Sequence, residues 1–236
     1  MSLEHPLDAF VIRDHNRAMK KDSPTTESRI PAHEHLYRAM RMRIMQGDIA
    51  PDQPMTIRGV AGEFGVSMTP AREAVRRLVA EGALKMTPSG RVATPVLSSD
   101  RIEELASLRA MLEPELASRA LPRVHSALIE RMAVINAAID EAIVKSDAIR
   151  YVSLNLEFHR MLYLRAQAPA MLALVETIWL QLGPTMCQLY KESMHKRRSA
   201  SENHRAILAA LRAGDEPGLR LAVRTDVTTG LRMLMT

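Results

Sequence analysis

Cysteine is almost missing from this chain: Cys187 is the only one in 236 residues. A lone thiol excludes a disulfide framework and any multi-cysteine zinc or iron–sulfur site. Aromatic residues make up 3%, which argues against a β-sandwich or barrel. No apolar run approaches the roughly 18 residues of a membrane span, and no charged-then-apolar leader opens the chain. The expectation is a cytoplasmic protein with no membrane partner. What is plentiful points to helices: 16 Met stand among many Ala, Leu and Arg, residues that favour helix. The length leaves room for one large domain or two modest ones.

The net charge of +5 is unevenly spread. Residues 1–30 hold five Lys/Arg against five Asp/Glu, residues 31–97 nine against six, and residues 98–236 eighteen against sixteen. The excess is densest in the middle segment, which makes nucleic acid a candidate partner there.

The pattern divides into three parts. Residues 1–30 mix charges, Ser, Thr and Pro with little periodicity and read as a mobile arm. Residues 31–97 begin with a helix at about 32–46, followed by a turn at Ile49–Pro54 that cannot continue it. A short helix at about Thr56–Phe64 ends at Gly65, and a second runs to about Glu81, with Thr69 placed as N-cap and Pro70 at the first helical position. Ala83–Thr87 and Arg91–Pro95 then form a small hairpin. Thr94–Ser99 reads as a linker. Residues 98–236 are purely helical, with six helices expected near 99–120, 123–144, 147–166, 169–190 (kinked at Pro184), 200–213 and 217–235. In the first two, Ile102, Leu105, Leu108, Leu112 and Leu116, then Val124, Leu128, Ile135 and Ile139, point inward. Short Pro/Gly/Asp joints between these helices imply an antiparallel bundle. The fold class is therefore mainly α: a winged helix-turn-helix with a β-hairpin wing, then an all-α bundle.

Two short helices joined by a Gly turn and followed by a hairpin can place the second helix in a DNA major groove, about 12 Å wide. Its N-terminal end carries Thr69, Arg72 and Arg76, the two arginines one turn apart on one face. Arg58 can reach a phosphate, and the wing offers Ser89, Gly90 and Arg91. A lone arginine on such a helix is more often a solvated surface charge; the ordered pattern is the specific signal. Val60–Leu78 (VAGEFGVSMTPAREAVRRL), with Glu81-Gly82, resembles the GntR family of bacterial transcriptional regulators. The likeness extends from Gly47-Asp48-Ile49-Ala50-Pro51 through the wing. It implies that Arg58, Thr69, Arg72, Ser89 and Gly90 occupy DNA-contacting positions. Residue 68, usually Arg in relatives, is Met here, so operator preference can differ.

A second constellation lies in the bundle. Asn155 and His159 are four residues apart on the inward face of the third helix of the bundle. His204 shares the apolar stripe of the fifth with Ile207, Leu208 and Leu211, and Asp226 that of the sixth with Leu219, Val223, Gly230 and Leu234. Buried polar groups need partners. These four could satisfy one another as a hydrogen-bonded network, or could surround a divalent Zn, Ni or Mn ion. Leu154–His159, Glu202–Leu208 and Gly214-Asp215 resemble the FCD ligand-sensing domain of the FadR branch of GntR regulators, with the six-helix count of its VanR-like subgroup. That resemblance implies a metal site using an Asp or Asn and then three His. Asn155, His159 and His204 match, while Asp226 stands in the stretch where the last His is usual and makes the site harder. Arg109 lies on or beside the buried stripe, where Glu113 can pair with it. The resemblance implies instead that it faces an effector cavity, where a guanidinium takes a carboxylate in two hydrogen bonds.

The remaining features read as structural: Met as core filler, Lys196-Arg197-Arg198 as a solvated loop, His33, His35, His125 and His195 without companions, and Cys187 as a small buried residue. The function expected is a homodimeric, ligand-responsive regulator of a double-stranded DNA operator, answering a small organic or sugar acid, and the resemblance implies a repressor. The rival reading is a metal-dependent enzyme built on His159, His204 and Asp226. The winged module, which an enzyme does not need, and the lack of an obvious nucleophile or base beside the cluster argue against it.

Overall fold

The computed structural model describes residues 31–193 and 200–232. The expected arm at 1–30, the Lys196–Arg198 loop with His195, and the last residues of the final helix lie outside the described residues. The structure is mainly α, as the sequence predicts. The winged part is α1 (Ala32–Met45), α2 (Ile57–Glu63), α3 (Met68–Ala80), β1 (Lys85–Met86) and β2 (Val92–Ala93). The strands pair antiparallel, Lys85 opposite Ala93 and Met86 opposite Val92. Met55 bridges to Val92 on the other side, tying the chain before α2 to the wing.

The bundle follows as α4 (Ser99–Ala120), α5 (Ser126–Val144), α6 (Ala148–Tyr163), α7 (Pro169–Ser193), α8 (Ala200–Ala213) and α9 (Glu216–Arg232). Polar caps set the starts. Thr56 accepts from Gly59 N at 2.9 Å, Asp147 from Arg150 N at 3.0 Å and Asp215 from Gly218 N at 3.0 Å, each taking up an amide that the helix leaves unpaired. Helix α4 packs on α9 and α7, and α5 on α6 and α8, which leaves one interior where all six helices meet.

Several local expectations need correction. Helix α3 begins one residue before the expected N-cap, with Ser67 as N-cap. Pro70 is therefore its third residue, still within the first turn, where a missing N–H costs nothing. Leu108 is 38% exposed and Val124 only partly buried. The polypeptide after α4 forms a tight 3-10 turn at Leu121–Arg123, so α5 starts at Ser126. His125 does have a role: its Nδ1 accepts from Leu128 N at 3.2 Å and caps α5. Among the described residues, Pro169–Glu192 is long and apolar enough, by length and composition alone, to cross a membrane. Half of that helix is buried inside the protein, as in a core helix.

The winged part and the bundle share a close contact. A Cβ added to Gly183 of α7 would lie 2.3 Å from the Met45 carbonyl oxygen, and one added to Gly47 would lie 2.1 Å from Cys187 Cβ. Gly47 also has φ +72°, a conformation that side chains disfavour. Around this contact Gln181 donates to the Glu81 carbonyl at 3.0 Å and Gln46 donates to Ser153 at 2.9 Å. Arg41 lies 3.4 Å from Glu176 of α7 and 3.6 Å from Glu81.

Candidate functional site

The winged part presents its expected residues to solvent. Arg58, Thr69, Arg72, Arg76, Ser89, Gly90 and Arg91 are all exposed. Helix α3 buries Ala71, Ala74, Val75 and Leu78, and this spacing turns Thr69, Arg72 and Arg76 outward. Among the described residues none of Arg58, Arg72, Arg76 and Arg91 pairs with a carboxylate. Their neighbour Arg77 does the opposite. It pairs with Glu34 at 2.9 Å and Glu81 at 3.3 Å, and its guanidinium lies 3.6 Å from the Tyr37 ring centroid. Arg77 is thus held as a structural bridge between α1 and α3, while the four others keep their charge available for an anion.

Inside the bundle the structure brings His159 (α6), His204 (α8) and Asp226 (α9) together, with one donor atom from each within 4.8 Å of the others. His159 Nε2 lies 3.0 Å from Asp226 Oδ2 and His204 Nε2 lies 3.8 Å from Oδ1. The Phe158 ring stacks on His204, centroids 4.0 Å apart and 12° from parallel, and fixes its plane. Asn155 sits half-buried one turn before His159 on α6.

The hydrogen bonds behind the imidazoles decide what they offer. Asn136 donates from its amide nitrogen to the Ser201 carbonyl at 3.4 Å. Its oxygen therefore faces His204 Nδ1 at 3.0 Å, so that nitrogen carries the ring proton. Tyr163 donates its hydroxyl to Glu113 Oε2 at 3.0 Å and can only accept from His159 Nδ1 at 3.2 Å. In the neutral rings both Nε2 atoms are then bare lone pairs. Neither makes an aligned hydrogen bond, and Asp226 Oδ2 is the acceptor nearest to His159 Nε2. Two lone pairs and a carboxylate face one another.

Burial pushes the His204 imidazole down to about 4, which keeps it neutral at pH 7. Burial also raises Asp226, but the His204 charge, the close approach of the His159 ring and the more distant Arg109 outweigh it and hold the carboxyl down to about 2. The two directions agree: His204 takes up a proton near pH 4, and that charge then keeps Asp226 ionised. Such an all-acceptor set fits a divalent cation. Atoms each about 2.1 Å from one ion stand at most about 4.2 Å apart, so a small contraction closes the triangle.

Arg109 does not reach the cluster bare. It is 7% exposed, and its Nε donates to Glu113 Oε1 at 2.6 Å. Glu113 is fully buried and also accepts from Trp179 Nε1 at 3.0 Å. Sequence reasoning missed Asn136, Tyr163 and Trp179. The signals were a lone Asn on the apolar stripe of α5, and a Tyr one turn after His159.

Comparison with known proteins decides the class of molecule. Residues 104–229 match the FCD domain, and residues 32–93 match the bacterial regulatory proteins of the gntR family. The chain belongs to the GntR family and carries an FCD domain. It is 26% identical over 182 residues to the HTH-type transcriptional regulator McbR of Escherichia coli, covering 77% of this chain and 82% of McbR. It is also 26% identical over 184 residues to the gluconate operon transcriptional repressor of Bacillus subtilis, covering 75% of this chain and 74% of the repressor. The solved structure of E. coli McbR/YncC superposes with a TM-score of 0.82 at 23% identity, covering 87% of this chain and 98% of that one. A GntR transcriptional regulator from Rhodococcus sp. RHA1 gives 0.73 at 17% identity, covering 86% and 97%. These likenesses at low identity show the fold. This GntR chain is a transcriptional regulator, and the enzyme reading is set aside.

Proposed function

We propose that this regulator is a cytoplasmic, homodimeric repressor whose bundle holds one divalent cation and takes a small carboxylate effector. Two units are read in this way: residues 31–97 bind the operator, and residues 98–236 bind the effector and dimerise. Arg58, Thr69, Arg72, Arg76, Ser89, Gly90 and Arg91 contact DNA. A single short helix reads only a few base pairs, so two winged parts on a pseudo-palindrome are needed for a specific site.

The reading of the bundle rests on the two buried Nε2 atoms of His159 and His204, which make no hydrogen bond and converge on the Asp226 carboxylate. These residues would hold the cation, with Asn155 as a fourth oxygen ligand. The cation would fix α6, α8 and α9 to one another and draw an anion. Arg109 receives the effector's carboxylate on the Nη side of its fork, since Glu113 engages Nε. An effector alters DNA binding only if its affinity differs between the arrangements of the winged parts.

The experiment is a two-step one. Genomic fragments selected by the purified protein define the operator, and gel shifts on that operator are repeated with organic and sugar acids, with and without chelator. An acid that releases the operator only from metal-loaded protein supports the reading. Release that is indifferent to chelator contradicts it.

A further inference from the structure

The His159 ring can serve the cluster in only one of its two neutral forms, and a carboxylate on another helix selects that form. We infer that Glu113, acting through Tyr163, is a positioning residue that sets the His159 proton on Nδ1 and so leaves Nε2 free to ligate. The inference deepens the metal reading above and rests on it for the consequence, though not for the tautomer itself.

Tyr163 has one hydroxyl proton, and two acceptors stand within reach of it, Glu113 Oε2 at 3.0 Å and His159 Nδ1 at 3.2 Å. Given to His159, that proton would leave Glu113 Oε2 and the phenol oxygen, 3.0 Å apart, as two facing acceptors. Given to Glu113, it leaves the phenol oxygen to accept from His159 Nδ1. Glu113 cannot evade the choice. Its other oxygen receives Arg109 Nε at 2.6 Å and Trp179 Nε1 at 3.0 Å, donors from α4 and α7 that pin the carboxylate's orientation. His204 is governed separately, by Asn136. The two histidines therefore have independent controls, one a carboxylate relay and the other an amide.

An isosteric change reverses the relay. In Glu113→Gln the oxygen must stay toward the two donors Arg109 and Trp179, so the amide nitrogen turns to Tyr163 and donates. The phenol then gives its own proton to His159 Nδ1, and the ring proton of His159 moves to Nε2, where it blocks ligation. A role in packing alone predicts no such exchange.

The test uses full-length, metal-free protein labelled with 15N in histidine, its rings assigned by single-His substitution. Nitrogen shifts are expected to place the proton on Nδ1 in both His159 and His204 of the wild type. In Glu113→Gln they should show it on Nε2 of His159 while His204 is unchanged. Zn²⁺ affinity, read by competition with a chelator, should fall about 10–100-fold in Glu113→Gln and in Tyr163→Phe. Tyr163→Phe keeps the carboxylate and serves if the Gln variant does not fold. A wild-type His159 protonated on Nε2 overturns the inference, as do variants that fold with the wild-type tautomer and Zn²⁺ affinity. Wild-type protein that takes up no Zn²⁺ contradicts the metal reading, whereas the metal-free tautomers still decide this one.

Discussion

The indole nitrogen of Trp179 donates to Glu113 Oε1 at 3.0 Å, the same oxygen that receives Arg109 Nε at 2.6 Å. Trp179 is the chain's only tryptophan and is 3% exposed. Its fluorescence therefore reports on the Arg109–Glu113 pair. An organic acid that binds Arg109 should change the emission saturably, and Arg109→Ala should abolish that response. An acid that raises the melting temperature yet leaves the emission of the wild type untouched would contradict the placement of the effector.

The neighbours Arg72 and Arg77 should behave differently. Arg72→Ala is expected to weaken operator binding by about 1–3 kcal/mol if the side chain reads a base. Arg77 is spent on Glu34, Glu81 and the Tyr37 ring. Its replacement by Ala should cost about 1 kcal/mol of folding stability, because the ion pairs are half exposed and screened, with a smaller loss of operator binding. Gel-shift titration and urea unfolding on both variants check this, and equal losses of DNA affinity would overturn the distinction.

Gly47→Ala should be more damaging than any of these. The new methyl would meet Cys187 Cβ at 2.1 Å with φ at +72°, where both crowding and backbone strain oppose it. A loss of about 2–4 kcal/mol is expected, read from urea unfolding. Cys187→Ala keeps that Cβ and should not rescue it, since the clash is with Cβ itself.

Acid should destabilise the metal-free protein. His204 titrates at 6.5 unperturbed and at about 4 when folded. Between those values the unfolded chain binds more protons, so stability is full above pH 6.5 and falls as the pH drops toward 4. Asp226, unperturbed at 3.8 and held at about 2, adds a further loss over that lower window. The His204 contribution is up to about 3 kcal/mol. Chemical unfolding of chelator-treated protein from pH 7 to 4 measures it, and His204→Gln should flatten the profile. A wild-type profile flat over that range contradicts the buried neutral imidazole.

Much of the fold was legible because helical periodicity and turn residues are local signals. The inward placing of His159, His204 and Asp226 followed from stripes on three separate helices. What the pattern could not carry was pairing across helices. Arg109 and Glu113 lie one turn apart, so their contact was foreseeable. That Glu113 also holds Trp179, 66 residues away, depends on how α4 and α7 cross. Asn136 looked like one polar residue on an apolar stripe, and only the packing of α5 on α8 gave it His204 as a partner. The start of α3 was misplaced for a local reason: Thr69-Pro70 imitates a cap and first position, while Ser67 two residues earlier takes the cap.

On the function proposed above, the His159, His204 and Asp226 side chains face one another because a cation belongs among them. Elemental analysis of protein purified without added metal or chelator, and again after reconstitution, tests this most directly, with His159→Ala/His204→Ala as the control. One divalent ion per chain is expected in the wild type and none retained by the double variant. A wild type that stays substoichiometric after reconstitution, or a double variant that binds as much, contradicts it.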